Sequence, residues 1–368
     1  MPYRPKDIYR GRRKFRVPLV ILLFVVAALL IGGISMFYIL QQYLVYDQDG
    51  VTLQLPSMAS EADSAPAEET VRVSQAFEPV EVEVIYEAPD FSDTDLGGWD
   101  DLTATRARFI AYDDAASESR LNAVLNGLSD SYNGVVLELK SRAGTLAWAS
   151  TSDMARGYGA AGEMDYTEIV ASLHERGLTA AAQISCLADR LLGQRNWTVT
   201  LQDAGGVYQD SDGMYWLDPY NLSVRTYIAD LMAELAAMGF DEIILADLCH
   251  PAVDTAFTYT VTLQTEASPV NAVCQMARRL AETLQGTDTA VSVLIRSASL
   301  YGDSERTGQD MEIFWRIFAR VYCPSDYWNA ESDRAAAAET MYDGDIGIRF
   351  APVCADYTPE GFDSYVMK

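Results

Sequence analysis

Residues Trp216–Pro251 read WLDPYNLSVRTYIADLMAELAAMGFDEIILADLCHP. Pro219 fixes its own φ and pushes Asp218 away from helical angles, so the segment begins with a turn. Val224, Ile228, Leu231, Leu235 and Met238 then recur at the spacing of one helical face. Gly239 is placed to cap that helix. Ile243 to Ala246 is a short unbroken apolar run, the pattern of a strand buried on both faces. Asp247, Cys249 and His250 crowd the strand's end before Pro251. Helix, glycine turn, buried strand and polar strand end make one unit of a βα repeat. Folds of that kind bind ligands at the C-terminal ends of their strands.

The same pattern runs on both sides. Strand candidates are Ala107–Tyr112, Gly134–Lys140, Thr179–Cys186, Glu242–Leu248, Ala290–Arg296, Arg320–Cys323 and Ile346–Val353. Helical patterns alternate with them at Glu118–Leu128, Tyr166–Arg176, Ser223–Met238, Asn271–Gln285, Asp310–Phe318 and Ser332–Met341. Alternation implies a parallel sheet, and residues 105–368 come close to the ~250 residues of a (β/α)8 barrel. The expectation is an α/β, TIM-type (β/α)8 barrel with seven strands, lacking its last βα unit. The connections Ser141–Gly162 and Leu187–Gly213 follow strands and would form the upper rim.

The chain ahead of the barrel divides into three parts. Residues 1–16 carry seven Lys or Arg (Arg4, Lys6, Arg10, Arg12, Arg13, Lys14, Arg16) against Asp7 alone. Residues 17–40 hold no charge over 24 positions, enough to cross the ~30 Å core of a bilayer. The basic flank predicts a cytoplasmic N-terminus, an uncleaved single-pass helix and an extracytoplasmic barrel. A cleaved signal peptide fits less well, because bulky Met36, Phe37 and Tyr38 stand where small residues are needed. Residues 41–104 form a linker; between Asp47 and Asp101 fifteen acids face one basic residue, Arg72, which predicts a solvated tether. Val80–Tyr86 (VEVEVIY) alternates and suits an added edge strand.

A net charge of -26 argues against nucleic acid as a partner. With no CxxC, HExxH, GxGxxG, Walker loop or GxSxG, the sequence calls for no metal and no cofactor. Cys186, Cys249, Cys323 and Cys354 fall at strand ends. Neighbouring strands ~4.8 Å apart bring Cys186–Cys249 and Cys323–Cys354 within disulfide reach if they are level; free buried thiols are the plainer reading.

Several motifs, in order, resemble the bacterial putative glycosyl hydrolase barrel family, which is distantly related to the α-amylase clan. NGVVLELKSRAG (Asn133–Gly144) resembles N-x-V-V-x-D-V-K-D-x-x-G, and HERGLTAAAQI (His174–Ile184) resembles K-x-R-G-L-x-x-x-A-R-I. WLDPYN (Trp216–Asn221) matches W-x-D-P-x-N, and GFDEI (Gly239–Ile243) begins G-F-D-E-I-Q-F-D-Y-x-R-F-P. GQD (Gly308–Asp310) and YCPSDY (Tyr322–Tyr327) fit the later elements. The departures fall on the chemistry. The acid of the strand-four motif falls on Ala246, and the one after strand five on Ser299. Cys249 and Gln183 stand where the pattern has Arg, Ser141 where it has Asp, and Asp326 where it has His.

Glycosidic cleavage needs two carboxyls flanking the bond. The remaining candidates are Glu138, Asp218 and Asp247. Strand alternation aims Asp247 at the wrong face unless the backbone is irregular. Glu138 also suits an ion pair with Lys140, and Asp218 a cap. Tyr112, Asp113, Lys140, Trp148, Trp216, His250, Tyr301, Asp326 and Tyr327 are candidate glycan contacts, with Asp113 and Asp114 ending strand one. Together these features predict a membrane-anchored barrel that binds cell-surface or wall polysaccharide after losing its hydrolytic residues. Two alternatives are an active glycosidase on rearranged carboxylates and a structural envelope protein with an exposed apolar patch in place of strand eight.

Overall fold

The computed structural model describes residues 44–47, 50–53, 91, 96, 102–260 and 268–368. The basic tail, the apolar run 17–40 and Val80–Tyr86 lie outside the described residues. Among the described residues no helix is long and apolar enough to cross a membrane. The chain forms two compact units, Met1–Glu81 and Val82–Lys368. In the first, Leu44–Asp47 pairs antiparallel with Gly50–Leu53, a hairpin in part of the sequence expected to be a tether.

The second unit is a closed ring of eight parallel strands. They are β1 (Arg106–Ile110), β2 (Gly134–Lys140), β3 (Thr179–Ser185), β4 (Glu242–Ala246), β5 (Ala290–Leu294), β6 (Val321–Pro324), β7 (Phe350–Cys354) and β8 (Tyr365–Met367). Six helices cover the ring: α1 (Glu118–Asn126), α2 (Thr167–Glu175), α3 (Leu222–Ala237), α4 (Pro269–Thr283), α5 (Met311–Ile317) and α6 (Ala330–Thr340). The seven-strand expectation is thus corrected. The eighth strand is three residues long and follows β7 without an intervening helix, so only a helix is missing from that unit. Its presence removes the exposed edge on which the structural-envelope reading relied. Strand seven also begins later than expected, because Asp345 accepts from the Gly347 N–H and turns Ile346–Arg349 into a helical turn.

The period of two along each strand divides the core. Ala107, Val136, Ala181, Ile244, Tyr322, Ala351, Val353 and Val366 point inward and fill the ring. Their neighbours, such as Leu137, Ile184, Leu245, Val293 and Phe350, face the helices. In α3, Asn221 caps the N-terminus by accepting from the Ser223 N–H, and Val224, Ile228, Leu231 and Leu235 form the buried stripe. Gly239 follows the helix at φ 91°, a conformation that β-carbons disfavour.

The N-terminal end of the ring is locked by a buried ion pair. Arg320 Nη1 donates to Glu242 Oε2 at 2.5 Å, Arg320 Nη2 to the Thr103 carbonyl at 2.7 Å, and the Tyr322 hydroxyl to Glu242 Oε1 at 3.0 Å. Removing one member leaves the other largely buried without its partner. Arg320→Met is expected to cost about 3–5 kcal/mol, and Tyr322→Phe about 1 kcal/mol. Denaturant unfolding of the two variants, measured against the native chain, checks the ranking.

Candidate functional site

The opposite, C-terminal end of the ring gathers the acids. β4 ends at Ala246, and Asp247 adopts φ 50°, alone in positive φ among the described non-glycine residues. Asp tolerates the left-handed region better than most residues. That backbone reversal breaks strand alternation. Asp247 Oδ2 accepts from Ser185 Oγ at 2.7 Å, and Oδ1 lies 3.5 Å from Arg142 Nε. Ser185 has the inward parity of Ala181 on β3, so the carboxylate is held at the barrel mouth and not on the outer face that alternation assigned to it.

Glu138 shares the inward parity of Val136 on β2 and is half-buried. Its Oε2 accepts from the Tyr112 N–H at 3.1 Å. Burial pushes its carboxyl above the ordinary glutamate range, and the charges of Asp247 and Asp113 push the same way; the Tyr112 N–H and Lys368 oppose them. Glu138 and Asp247 therefore feel each other across the mouth. The expected Glu138–Lys140 ion pair is absent. The register of β2 on β3 slips between the two residues, and Lys140 instead reaches Asp189 Oδ2 at 2.9 Å and the Ser185 carbonyl at 2.7 Å.

Three residues beside this pair were not foreseen. Arg142, in the loop after β2, places Nη2 3.3 Å from Asp210 Oδ2, and Trp216 Nε1 donates to the same oxygen at 3.0 Å. Arg296, just past β5, donates from Nε to Cys249 Sγ at 3.2 Å. Both guanidiniums stand 5.5 Å from the centroid of the Trp216 ring. Burial pushes the Cys249 thiol up to about 11 even beside Arg296, so the thiol stays neutral. These contacts bridge loops far apart in sequence, and no local motif announces them.

Other candidates have structural duties. Asp218 is fully buried; Oδ1 accepts from the Tyr220 N–H and Oδ2 from the N–H and hydroxyl of Thr260, which ties two loops together. It is no part of the acid pair. Trp148 and Trp216 are closed to a sugar face, at 0% and 1% exposure, and Trp148 Nε1 donates to Glu234 at 2.8 Å. His250 is buried against Phe257 and Tyr259. Asp113 and Asp114 lie in a helical turn after β1, with Tyr112 half-buried beside Glu138. Tyr301 and Tyr327 are exposed, and Tyr327 packs edge-on against Trp328 and Tyr357. Asp326 fixes that loop by accepting from the Trp328 and Asn329 N–H groups. All five cysteines are free and buried. Among the described residues no cluster of three or more His, Cys, Asp or Glu suits a metal ion. A cavity of about 720 Å³ opens at the other end of the ring, near Thr179, Gln285 and Glu242. The ligand end of this fold is the C-terminal one, and the Arg320–Glu242 pair beside the cavity is already satisfied.

The family model of the putative glycosyl hydrolase domain matches residues 107–343. A search of curated proteins finds no match. Among solved structures, the chain is similar to the PgaB (BpsB) glycoside hydrolase domain of Bordetella bronchiseptica, with 13% identity, a TM-score of 0.53 and coverage of 72% of this chain and 94% of that one. It is also similar to a hypothetical protein from Ruminiclostridium thermocellum, with 19% identity, a TM-score of 0.45 and coverage of 50% and 96%. At 13% identity the likeness to the Bordetella domain speaks for the barrel fold alone.

Two titrations follow. A carboxyl with a raised folded-state pKa costs nothing below its unfolded value near 4.5 and costs stability as pH rises through the folded value. Glu138→Gln is therefore expected to stabilise the chain at pH 7 and to lose that advantage below pH 4.5. His250 behaves differently, because burial pushes its pKa from 6.5 down to about 4. Its neutral form is required, so stability falls as pH drops from 6.5 through 4. His250→Phe is expected to flatten that limb, as read by denaturation midpoints across the range.

Proposed function

The chain belongs to the putative glycosyl hydrolase domain family, and from that premise we propose that its barrel mouth cleaves a cell-surface or wall polysaccharide with Glu138 and Asp247. The observation carrying this reading is the left-handed turn at Asp247, which brings a carboxylate to the mouth although the family's acid is replaced by Ala246. Glu138, its carboxyl pushed above the ordinary glutamate range by burial, is the general acid that protonates the leaving oxygen. Asp247, steadied by Ser185 and Arg142, supports the developing positive charge at the anomeric carbon or activates water. Raising one carboxyl of a pair by burial is one way such sites provide an acid. Tyr301 and Tyr327 offer exposed rings on the rim for stacking on sugar faces. The basic tail, the uncharged run 17–40 and the acidic linker support a membrane-anchored, extracytoplasmic placement.

A second reading has its own observation. Asp247 is already engaged by a hydroxyl and a guanidinium, which suits a barrel that holds glycan without cutting it.

Reducing-end release by the full chain, from a panel of bacterial and plant polysaccharides, separates the two. Cleavage predicts a loss of about 10²–10⁴-fold in Glu138→Gln and Asp247→Asn with the fold intact and Glu138→Gln no less stable than the native chain. Binding without release, equal in both variants and the native chain, favours the holding barrel. Neither binding nor release contradicts both.

A further inference from the structure

Trp216 carries two arginines that differ in one respect. Arg142 is neutralised, with Asp210 Oδ2 at 3.3 Å and Asp247 Oδ1 at 3.5 Å. Arg296 makes no ion pair among the described residues, and its side chain has one hydrogen bond, from Nε to the Cys249 thiol. Its two terminal nitrogens are without a protein acceptor there. Asp247 and Asp210 act on Arg296 from a distance, but both acids make their close ion pairs with Arg142. The guanidinium is half-buried, where a charge-assisted bond gains more than it does at an exposed surface. A planar fork with unused donors matches a carboxylate or a phosphate. The acids nearby do not fill the role, since Asp210 is taken by Trp216 and Arg142, and Asp247 by Ser185 and Arg142.

We propose that Arg296 selects an acidic glycan, its terminal nitrogens receiving the carboxylate of a uronic acid or the phosphate of a phosphorylated sugar beside Glu138 and Asp247. This rests on the mouth being a glycan site. The anion and the cleaved bond then belong to neighbouring parts of one saccharide, and the Trp216 ring holds the guanidinium in place between visits of ligand.

The test is binding of the full chain to three probes: a neutral glucan, a polyuronate and a phosphate-bearing polysaccharide. Native, Arg296→Gln and Arg296→Lys chains are compared. The proposal predicts that the native chain binds one acidic polymer at least about ten-fold more tightly than the neutral one. Arg296→Gln then erases that preference by about ten-fold, as loss of a charged hydrogen bond does, with neutral binding unchanged and Arg296→Lys intermediate. The acidic polymer that responds identifies carboxylate or phosphate. Neutral and acidic probes bound alike, or an equal loss on all probes in Arg296→Gln, overturns the role of Arg296 while leaving the glycan site standing. A native chain that binds none of the three overturns both.

Discussion

Closure of the strand ring is the constraint on which the rest depends. An edge strand leaves a row of unpaired N–H and C=O groups, and a parallel sheet with both faces covered by helices and core has no water there to satisfy them. Tyr365–Met367 supplies the missing pairing. It is in register with Arg106–Arg108 on one side and with Val353 and Cys354 on the other. The Lys368 N–H then donates to the Cys354 carbonyl at 2.8 Å, which sets the Lys368 ammonium 5.6 Å from the Phe109 ring centroid and within electrostatic reach of Glu138. The strand that seals the ring is followed directly by Lys368, which contributes to the charge balance at the mouth.

The two ends of the ring use charge in opposite ways. At the N-terminal end, Arg320, Glu242 and Tyr322 satisfy one another, and Arg349 is bonded to the carbonyls of Trp315, Phe318 and Ala319. Among the described residues there, no non-glycine residue takes a positive φ. At the C-terminal end, a non-glycine residue is held at positive φ, a carboxyl is partly desolvated, and among the described residues Arg296 makes no close ion pair, its side chain bonding to the Cys249 thiol. Strain and imperfect pairing cost stability and persist where surrounding structure fixes them. Their concentration at one end supports that end as the seat of chemistry.

Much of the barrel could be read from the sequence because both-face burial writes long apolar runs, and helices between them keep a 3.6-residue period. Six strands and six helices lie within about two residues of the expected bounds, as base physical patterning allows. The eighth strand was hidden, since three residues without a helix before them carry no period. Ile346–Arg349 alternates like a strand, yet the cap from Asp345 makes it a turn. At the mouth, Glu138 and Asp247 were recognisable as acids at strand ends. The face to which Asp247 turns depends on one backbone dihedral, which residue type alone does not set. The partners Lys140–Asp189, Arg142–Asp210 and Arg296–Cys249 are long-range contacts fixed by loop packing. Trp148 and Trp216 occupy positions that suit sugar platforms, but both rings are buried, and their indole N–H groups donate to Glu234 and Asp210.

The most direct measurement is a carbon-13 titration of the Glu138 carboxyl in the full chain and in Asp247→Asn. If the left-handed turn holds the Asp247 carboxylate opposite Glu138, the native midpoint lies above 4.5 and falls when the Asp247 charge is removed. A midpoint that stays in place would mean that the two acids do not face each other, and the account of the mouth would be wrong.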